Sequence, residues 1–518
     1  MALSKTPGVF TKIGFAMNLH LLNKKLNSLR VLLLIPPRER SSVFLRTQYY
    51  PPIGLAYLAA YARQQAKEDN HSLDFKIVDS LAEKIEFKDL PGIITSYQPD
   101  VIGINFYTEN RFEALKTAEI IKKSNRDILI VGGGPHATLA ADDTLRNFGA
   151  FDLLVKGEGE LKFYNILKAC LGYGTISTVG GVSYRDADKL IHNPDLPHIK
   201  DLDSIPYPAH DLLKMDRYFG SLDWTETTEK MAMLVTSRGC PYKCNFCSSA
   251  KVWGNRYRMR TPENIIGEIK QIKNLYQISA IIFFDDTLTI NKKRTLALCE
   301  EITKNQLDIR WLTHSRVDAM NEEMMVKMKE AGCVGIMFGV ESGSQRIIDE
   351  VIKKKITVAQ AKEVSDLSKK LNMTNNFSYI ISHPQETEED VEKTMDMVKL
   401  HLQDNQTTVL NIMRLYPGTY LEDYAVNQKL LPADFSWSKN INYDSGIVSK
   451  TLKGNVPFFR DKLSWNYIYA VNSRYLKMVK YPIWRHAWDA FKNIRSAHDF
   501  FELLNIGIIQ LKTYLNPG

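Results

Sequence analysis

The chain lacks long apolar runs and has few cysteines, and each shortage excludes a class of protein. The longest apolar runs, such as residues 31–35 and 280–284, are far shorter than the roughly 20 residues of a membrane-crossing helix. Only six cysteines occur among 518 residues, too few for a disulfide framework. With 44% apolar residues, a chain of this length holds two or three domains with substantial cores. We therefore expect a large enzyme without a transmembrane segment in a reducing, cytoplasmic compartment.

Acidic residues are missing from the first 38 residues, which carry several lysines and arginines. We interpret residues 1–28 as a basic extension rather than a targeting leader, because Pro7 and Gly8 interrupt the apolar positions. The net charge of +8 could attract phosphates, acidic lipids or nucleic acid and does not discriminate among them. No arginine-rich run or RNA-binding signature is present, so we expect no nucleic-acid partner.

Three of the cysteines, Cys240, Cys244 and Cys247, form a CxxxCxxC triplet on a polar loop. Three thiolates can hold three irons of a cubane cluster and leave the fourth iron open to an exogenous ligand. A structural zinc site normally needs four protein ligands, and no further Cys or His follows within fifty residues. The pattern therefore predicts a reactive iron–sulfur centre.

The triplet resembles the signature of radical S-adenosylmethionine (SAM) enzymes. In that family the residue before the third cysteine is typically aromatic and packs near the adenine of SAM, and Phe246 has this position here. The resemblance implies a 4Fe–4S cluster, with SAM bound at the open iron.

Residues 29–185 alternate β-type runs with helical stretches, which predicts a doubly wound, Rossmann-like α/β sheet. Such sheets bind ligands outside the carboxyl ends of their strands. The loop after the fourth run contains Gly133, Gly134 and His136, and the loop after the fifth contains Gly157 and Glu158. A dinucleotide fingerprint in the first loop is disfavoured, because it follows the fourth strand instead of the first. The predicted strands are residues 31–35, 75–78, 101–106, 128–131 and 153–155, and helices are predicted at 53–65 and 111–123.

Residues 51–59, 133–138 and 157–160 together resemble the cobalamin-binding domain found ahead of many radical SAM domains. That resemblance implies cobalamin between the two domains, with Gly133, Gly134, Gly157, Glu158 and His136 near it. The DxHxxG motif, whose His ligates cobalt in many cobalamin proteins, is missing. We therefore interpret His136 as a loop residue, and a domain of this type without its cofactor stays an alternative.

After a predicted linker at 186–230, residues 231–424 repeat strand and helix about six times, and the count resembles the partial (β/α)6 barrel of radical SAM enzymes. A mainly helical region is predicted over 425–518. The barrel strands are predicted at 234–236, 280–284, 310–313, 334–338, 377–381 and 409–413. The helices are predicted at 262–275, 292–303, 322–330, 358–371 and 388–402.

Polar residues follow these strands at the end where barrels of this kind carry reactive groups. By resemblance, Asp285 and Asp286 have the position that meets the SAM amino group, and Glu341 and Ser342 belong to a SAM-contacting motif. Arg414 could pair with a carboxylate through its planar fork. Alternatively, Glu341 caps a helix and the aspartates are solvated. Three further residues could contact substrate or be satisfied polar core groups: His314, Arg316 and His383.

The last hundred residues mix aromatic with basic side chains, among them Trp465, Tyr467, Arg474, Trp484 and Trp488. We interpret them as helices packed on the barrel, because amphipathic helices most often bury their apolar face in the same protein. The alternative is contact with a membrane surface or a lipid-like substrate.

The resemblance implies a two-stage reaction. A reduced cluster cleaves SAM to a 5'-deoxyadenosyl radical that abstracts hydrogen, and methylcobalamin then methylates an unactivated carbon of a small or lipid-like substrate. A low-potential donor such as a flavodoxin or ferredoxin would supply the electron. Two alternatives stay open: a cyclase or other carbon-skeleton oxidoreductase with the same domains, similar to the anaerobic magnesium-protoporphyrin monoester cyclase, and a non-catalytic cluster and corrinoid carrier or sensor.

Overall fold

The computed structural model describes residues 27–38, 50–220, 229–431, 434–439 and 456–479. Within them the chain forms two seven-stranded sheets and a separate two-stranded hairpin. Nearly all of the predicted basic extension, 1–28, and much of the predicted helical region, 425–518, lie outside the described residues.

The first sheet has the strand order β2-β1-β3-β4-β5-β6-β7. Its first five strands are parallel, which confirms the predicted doubly wound arrangement. Two antiparallel strands that the sequence did not predict then extend it, and β7 lies within the segment expected to be a linker. The strands are β1 (Ser28–Ile35), β2 (Ser72–Asp79), β3 (Val101–Asn105), β4 (Leu129–Gly133), β5 (Leu153–Val155), β6 (Val182–Asp186) and β7 (Lys189–His192).

Helices cover both faces of this sheet, because its strands are apolar on both sides. In β1, Val31 and Leu33 belong to one buried apolar layer, and Leu32 and Leu34 belong to the other. The helices are α1 (Ile53–Glu68), α2 (Leu90–Tyr97), α3 (Arg111–Ser124), α4 (Pro135–Leu139), α5 (Ala141–Asn147) and α6 (Glu160–Cys170).

The second sheet has the order β16-β15-β14-β13-β12-β9-β8 and forms the predicted half-barrel. All neighbouring strands from β9 to β16 are parallel, whereas β8, from the predicted linker, pairs antiparallel at the edge. The strands are β8 (Phe219–Gly220), β9 (Glu229–Leu234), β12 (Ala280–Phe283), β13 (Arg310–Ser315), β14 (Cys333–Glu341), β15 (Asn376–Ile381) and β16 (Thr407–Ile412), and the hairpin consists of β10 (Ser237–Arg238) and β11 (Arg258–Met259).

The first barrel strand lies earlier than the predicted residues 234–236. It ends at Leu234, because the carboxylate of Asp285 accepts the backbone N–H groups of Thr236, at 2.6 Å, and Ser237, at 3.0 Å. These N–H groups are thereby satisfied without a neighbouring strand. The chain leaves the sheet at this point and enters the hairpin.

Helices alternate with the barrel strands as predicted, and side-chain caps fix several of their starts. Thr261 accepts a hydrogen bond from the N–H of Asn264, with Pro262 in the first turn, and Thr357 and Thr387 form capping boxes. The helices are α7 (Ser249–Trp253), α8 (Pro262–Tyr276), α9 (Lys292–Lys304), α10 (Glu322–Glu330), α11 (Val358–Lys370) and α12 (Glu388–Gln403).

A small apolar cluster from four neighbouring barrel strands separates from the main core. It consists of Met231, Ala280, Ile282 and Leu312, with Val334 and Met337 packed against it. The polar residues predicted for the site follow these strands, towards their carboxyl ends.

The described C-terminal residues contact both domains and comprise α13 (Tyr420–Asn427), residues 434–439 and α14 (Trp465–Met478). Arg474 and Tyr467 of α14 each bind Glu392 of α12 at 2.7 Å. Residues 434–439, which we call the strap, bind the first domain: the Trp437 carbonyl accepts from buried Arg111, and Ser436 donates to Asp143 at 2.7 Å.

The described part of α14 therefore packs on the barrel as expected, whereas Trp484 and Trp488 lie outside the described residues. Among the residues described, no helix is both long enough and apolar enough to cross a bilayer.

Candidate active site

The cysteine loop is held by backbone contacts to the turn that follows β14. Asn245 donates from its backbone N–H to Ile352, at 3.1 Å, and from its side chain to the Val351 carbonyl, at 2.7 Å. Residues Ile347–Ile352 form a π-helical turn, a feature frequent at functional sites. The N–H of Cys240 bonds to the carbonyl of Gly254 at 3.3 Å. The loop thus has fixed neighbours on both sides.

The three loop thiols suit a cluster better than a single ion. Cys240 and Cys244 are half-buried, Cys247 is exposed, and all three are free thiols. Among the described residues, no three His, Cys, Asp or Glu groups converge on one ion site. A cubane spreads its three thiolates over three irons, so this donor set fits it. Cys170, Cys299 and Cys333 are at most 3% exposed and serve as core residues.

Two cations lie beside the middle thiol. Burial raises the pKa of Cys244, and the nearby Lys354 and Arg316 act in the opposite direction. The guanidinium of Arg316 stacks 3.6 Å from the ring centre of Tyr242, binds Asp318 at 2.8 Å and donates to the Lys354 carbonyl. Arg316 is therefore a satisfied buried group beside the cysteine loop, which favours the structural alternative over substrate contact.

Phe246 lies where three parts of the chain meet. It packs against an apolar cluster drawn from the first domain, the end of the barrel and the C-terminal segments. The members of this cluster are Ala140, Met413, Leu415, Leu421, Ala425, Leu431, Trp437 and Phe459. Such a wall gives the loop an apolar side next to its thiols.

The two aspartates after β12 have different surroundings. Asp285 is 2% exposed, and its carboxylate is occupied by Thr236 and Ser237. Asp286 is exposed and accepts from the Ser249 hydroxyl, two residues beyond Cys247. Only Asp286 therefore presents an oxygen that a bound molecule can reach. For Asp285 the structure favours a role in shaping the loop.

Glu341 and Ser342 also have protein partners. Glu341 has a φ of +74° and accepts from Lys354 at 2.6 Å, while Ser342 is fully buried and accepts from the N–H of Ser344 at 3.1 Å. A side chain in the left-handed region is uncommon outside Gly and Asn and persists only where surrounding contacts impose it. Both side chains are thus bound within the protein, which favours a role in shaping the turn after β14.

Arg414 and His314 lie at the strand ends with open faces. Arg414 is half-buried over the Phe458 ring, 4.9 Å from its centre, and makes no ion pair with any described residue. His314 is half-buried and contacts Phe284 edge-on, and burial lowers the pKa of its imidazole. Phe284 is 49% exposed and contacts Tyr50, 43% exposed, from the first domain. Tyr50 and Phe284 form an aromatic rim beside the carboxyl ends of the barrel strands.

His383 and its neighbour Glu386 form a buried pair of neutral groups after β15. His383 is 2% exposed with an unpaired Nε2, and burial lowers its pKa to about 4. Burial raises the pKa of Glu386 to about 8, although its Oε2 accepts from the N–H groups of Ser382 and His383. Both groups are uncharged near neutral pH.

The glycine loop after β4 lies at the edge of the first sheet. A Cβ at Gly133 would meet nothing within 4 Å, whereas one at Gly134, where φ is +101°, would lie 2.3 Å from the Asn105 side chain. His136 is fully buried, its Nδ1 lies 3.1 Å from the Thr108 hydroxyl, and burial lowers its pKa to about 3. This burial and the contact to Thr108 favour the loop role.

The loop after β5 faces the barrel. Gly157 has a φ of +65°, its N–H bonds to the Thr138 hydroxyl at 2.9 Å, and a Cβ at this position would lie 3.5 Å from the Val252 carbonyl. Glu158 is 6% exposed and forms an ion pair with Arg258. Of the three glycines, Gly133 has open space beside its backbone, whereas Asn105 fills the space at Gly134 and Val252 lies against Gly157. Glu158 is already bound by Arg258.

A cavity of about 410 Å³ opens between the first domain and the C-terminal segments. Thr138, Lys156, His192 and Trp437 are among its lining residues. The hydroxyl, ammonium and imidazole groups suit the amide-rich edge of a corrinoid, and the carboxylates of Asp142, Asp143 and Glu422 also line the cavity. These residues fit an edge of cobalamin, without a histidine ligand from the missing motif.

The sequence did not predict the side chains that bind the four carboxylates of the site. Glu160 is bound by Arg238, Asp286 by Ser249, Glu158 by Arg258 and Glu341 by Lys354. One signal was available, since Arg238 comes two residues before Cys240.

Two family models match the chain: the B12 binding domain over residues 43–167 and the radical SAM superfamily over residues 234–398. An uncharacterized methyltransferase of Pyrococcus horikoshii is 37% identical over 80% of this chain and 87% of its own length. The chain belongs to the B12-binding radical SAM family. It is therefore a radical SAM enzyme, and the cofactors predicted for it, a 4Fe–4S cluster, SAM and cobalamin, are those of this family.

Two further proteins are similar to this chain. The anaerobic magnesium-protoporphyrin IX monomethyl ester cyclase of Rubrivivax gelatinosus is 29% identical over 68% of this chain and 62% of its own length. The methyltransferase TsrM of Kitasatospora setae, solved with cobalamin and a [4Fe-4S] cluster bound, covers 94% of this chain and 99% of its own, with a TM-score of 0.69 and 15% identity. The latter likeness supports the fold, with its two α/β units.

Proposed function

We propose that this protein is a cobalamin-dependent radical SAM methyltransferase that methylates an unactivated carbon of a small or lipid-like substrate. The observation that carries the proposal is the contact between the two loops that are predicted to hold the cofactors. The cysteine loop continues into α7, whose Val252 carbonyl lies against Gly157 of the first domain. When bound, the cluster would supply the electron that cleaves SAM, and cobalamin the methyl group.

The protein residues would bind and orient these groups. Cys240, Cys244 and Cys247 would hold the cluster, with Phe246 as the apolar wall against which the SAM adenine packs. Asp286 would accept from the SAM ammonium, and Arg414 would pair with its carboxylate. Glu341 and Ser342 would keep the strand-end backbone in place, and Asp285 would hold the start of the hairpin.

On the first domain, Gly133 would let the corrinoid approach the backbone closely, while Gly134 and Gly157, both with positive φ, would shape the two loops beside it. Glu158 and His136 would support these loops from within the protein. We propose two changes to the domain boundaries predicted from the sequence. The first unit would run to residue 192, since β7 belongs to its sheet, and the barrel unit would begin at residue 219, since β8 belongs to the second sheet.

A second candidate function is cyclisation without methyl transfer. It is favoured by the relative from Rubrivivax gelatinosus, a cyclase with which this chain shares 29% identity over 357 residues. The aromatic rim of Tyr50 and Phe284 would also suit a planar substrate. The two candidates differ in whether SAM is consumed as a methyl donor.

We further propose a cytoplasmic protein that takes its electron from a low-potential flavodoxin or ferredoxin. Peripheral contact with a membrane surface would give access to a lipid-like substrate. The net charge of +8 supports both an acidic electron donor and an acidic lipid surface.

The test begins with anaerobic reconstitution with iron, sulfide and hydroxocobalamin, followed by iron and cobalt quantitation. About four irons and one cobalt per chain are expected for the family's cofactors. The enzyme is then incubated with SAM labelled with ¹⁴C in its methyl group, dithionite, and either the lipid or the aqueous fraction of a cell extract. Label in an organic product together with S-adenosylhomocysteine supports methylation. Deoxyadenosine formation without label transfer in both fractions would overturn it in favour of cyclisation.

A further inference from the structure

Two carboxylates of the first domain are buried against arginines of the second. Arg238 binds Glu160 at 2.6 Å, and Arg258 binds Glu158 with two nitrogens, one of them at 3.0 Å. Arg238 also approaches Glu158, at 3.6 Å. All four side chains are between 5% and 7% exposed. We call this group the interdomain clamp.

The arginines of the clamp belong to the hairpin that brackets the cysteine loop. Arg238 on β10 pairs directly with Arg258 on β11. Gly239 follows with a φ of +85°, and a Cβ there would lie 2.3 Å from the Arg256 carbonyl, so the loop leaves the hairpin with no space between them. Cys240 is the next residue. Any rotation of the hairpin therefore moves the first cluster ligand.

The charges of the clamp balance, with two carboxylates facing two guanidinium groups. Burial would raise the pKa of Glu160, but Arg238 beside it lowers that pKa below its ordinary value. The carboxylate is thus ionised near neutral pH. A buried ion pair of this kind adds little net stability compared with an apolar contact, but it fixes geometry through directed hydrogen bonds.

We propose that Glu158 and Glu160 are positioning residues that fix the cysteine loop relative to the glycine loops of the first domain. They set the distance and angle between the two cofactors without touching either. The effect of the clamp on the reaction rests on the proposed function, since methyl transfer requires both cofactors to face one substrate. The effect of the clamp on the order of the cysteine loop is a property of the protein without cofactors.

Hydrogen exchange on the full-length protein without cofactors tests whether the clamp orders the hairpin and the cysteine loop. Glu158→Gln and Glu160→Gln keep side-chain volume but remove the charge. We expect peptides within residues 237–260 to exchange about tenfold faster or more in both variants, because a buried guanidinium loses its counter-charge. Exchange in β1 to β4 should not change.

The matched control is Asp152→Asn, which breaks the buried pair of Lys122 and Asp152, 2.7 Å apart, inside the first domain. This variant should lose comparable stability but leave exchange in residues 237–260 at the wild-type rate. Unchanged exchange of these residues in the clamp variants, or an equal increase in the control, would overturn the proposal.

The second readout is the coupling of the reaction in the reconstituted protein. We expect both clamp variants to keep wild-type iron and cobalt contents, while the ratio of 5'-deoxyadenosine to S-adenosylhomocysteine rises about tenfold, because a displaced cluster loop misaligns the reacting groups. A wild-type ratio would contradict the positioning role. A wild-type enzyme that forms no S-adenosylhomocysteine would instead contradict the proposed methyl transfer, and the exchange result would still decide the clamp.

Discussion

The acidic pair after β5 and the acidic pair after β12 resemble each other in the sequence and differ in the structure. Glu158 and Glu160 are both buried and both bind arginines of the other domain. Asp285 turns inwards to the backbone of Thr236, while Asp286 stays exposed beside the cysteine loop. A strand end thus determines the edge on which a carboxylate lies, and the available partners determine whether it holds the protein together or faces a ligand.

The largest expected effect separates cluster binding from cobalamin binding. In Cys244→Ala the cluster loses one of three ligands, so reconstituted iron and SAM cleavage should fall to background, while cobalamin uptake by the first domain continues. Iron and cobalt analysis of the same sample measures both. Cys299→Ala is the control, because that thiol is buried away from the loop. SAM cleavage that survives the loss of Cys244 would disprove the cluster assignment.

Substitution of Asp285 should affect stability, whereas substitution of Asp286 should affect SAM binding. Asp285→Asn keeps an oxygen for the backbone N–H groups of Thr236 and Ser237, but it removes the buried charge and the oxygen that accepts from the Thr236 hydroxyl. We therefore expect a loss of about 1–3 kcal/mol in the free energy of unfolding. Asp286→Asn should change stability by less than about 0.5 kcal/mol but weaken SAM binding about tenfold. Urea unfolding and equilibrium SAM binding to the reconstituted protein make the comparison. Equal behaviour of the two variants would remove the distinction drawn between them.

A smaller effect concerns the buried carboxyl of Glu386, whose pKa is raised by burial to about 8 from its ordinary 4.5. The folded state favours the protonated form, so the stabilising contribution is complete below pH 4.5 and is lost as the pH rises through 8. The melting temperature of Glu386→Gln relative to wild type should therefore increase by a few degrees between pH 5 and 9. Exposed Glu388→Gln is the control; a parallel pH profile for wild type and Glu386→Gln would contradict the assignment.

The smallest expected effect concerns His136, in the glycine loop after β4. His136 is buried with its Nδ1 beside Thr108, so His136→Gln should leave the electron paramagnetic resonance spectrum of bound cob(II)alamin unchanged. The cost should appear only as about 1–2 kcal/mol of stability. Disappearance of a nitrogen hyperfine pattern from the spectrum would instead make His136 a cobalt ligand.

Much of the fold could be predicted because its signals are local. Apolar strands covered on both faces, such as β1, and capped helices, such as the one that begins after Thr261, carry their signal within a few residues. The cysteine triplet is equally local. The antiparallel strand β7 was missed because it is short and its outer positions are polar and exposed, so that it has no apolar periodicity.

The parts of the site that escaped prediction depend on distant residues. Glu158 meets Arg258 across 100 positions, and Asp285 meets Thr236 across 49. No local pattern states which partner a carboxylate will find after folding. Nor does it state that Glu341 adopts a left-handed backbone, since that conformation is imposed by its surroundings.

The strap limits how freely the parts of this protein can be exchanged with those of its relatives. Arg111 is 1% exposed, and one of its hydrogen-bond acceptors is the Trp437 carbonyl, 326 residues further along the chain. A first domain cut at its own boundary would lose that acceptor, together with the Ser436 contact to Asp143. Chimeras that graft a foreign barrel between the two therefore need to carry residues 434–439 with the first domain, because the cobalamin-binding unit is completed by the far end of the chain.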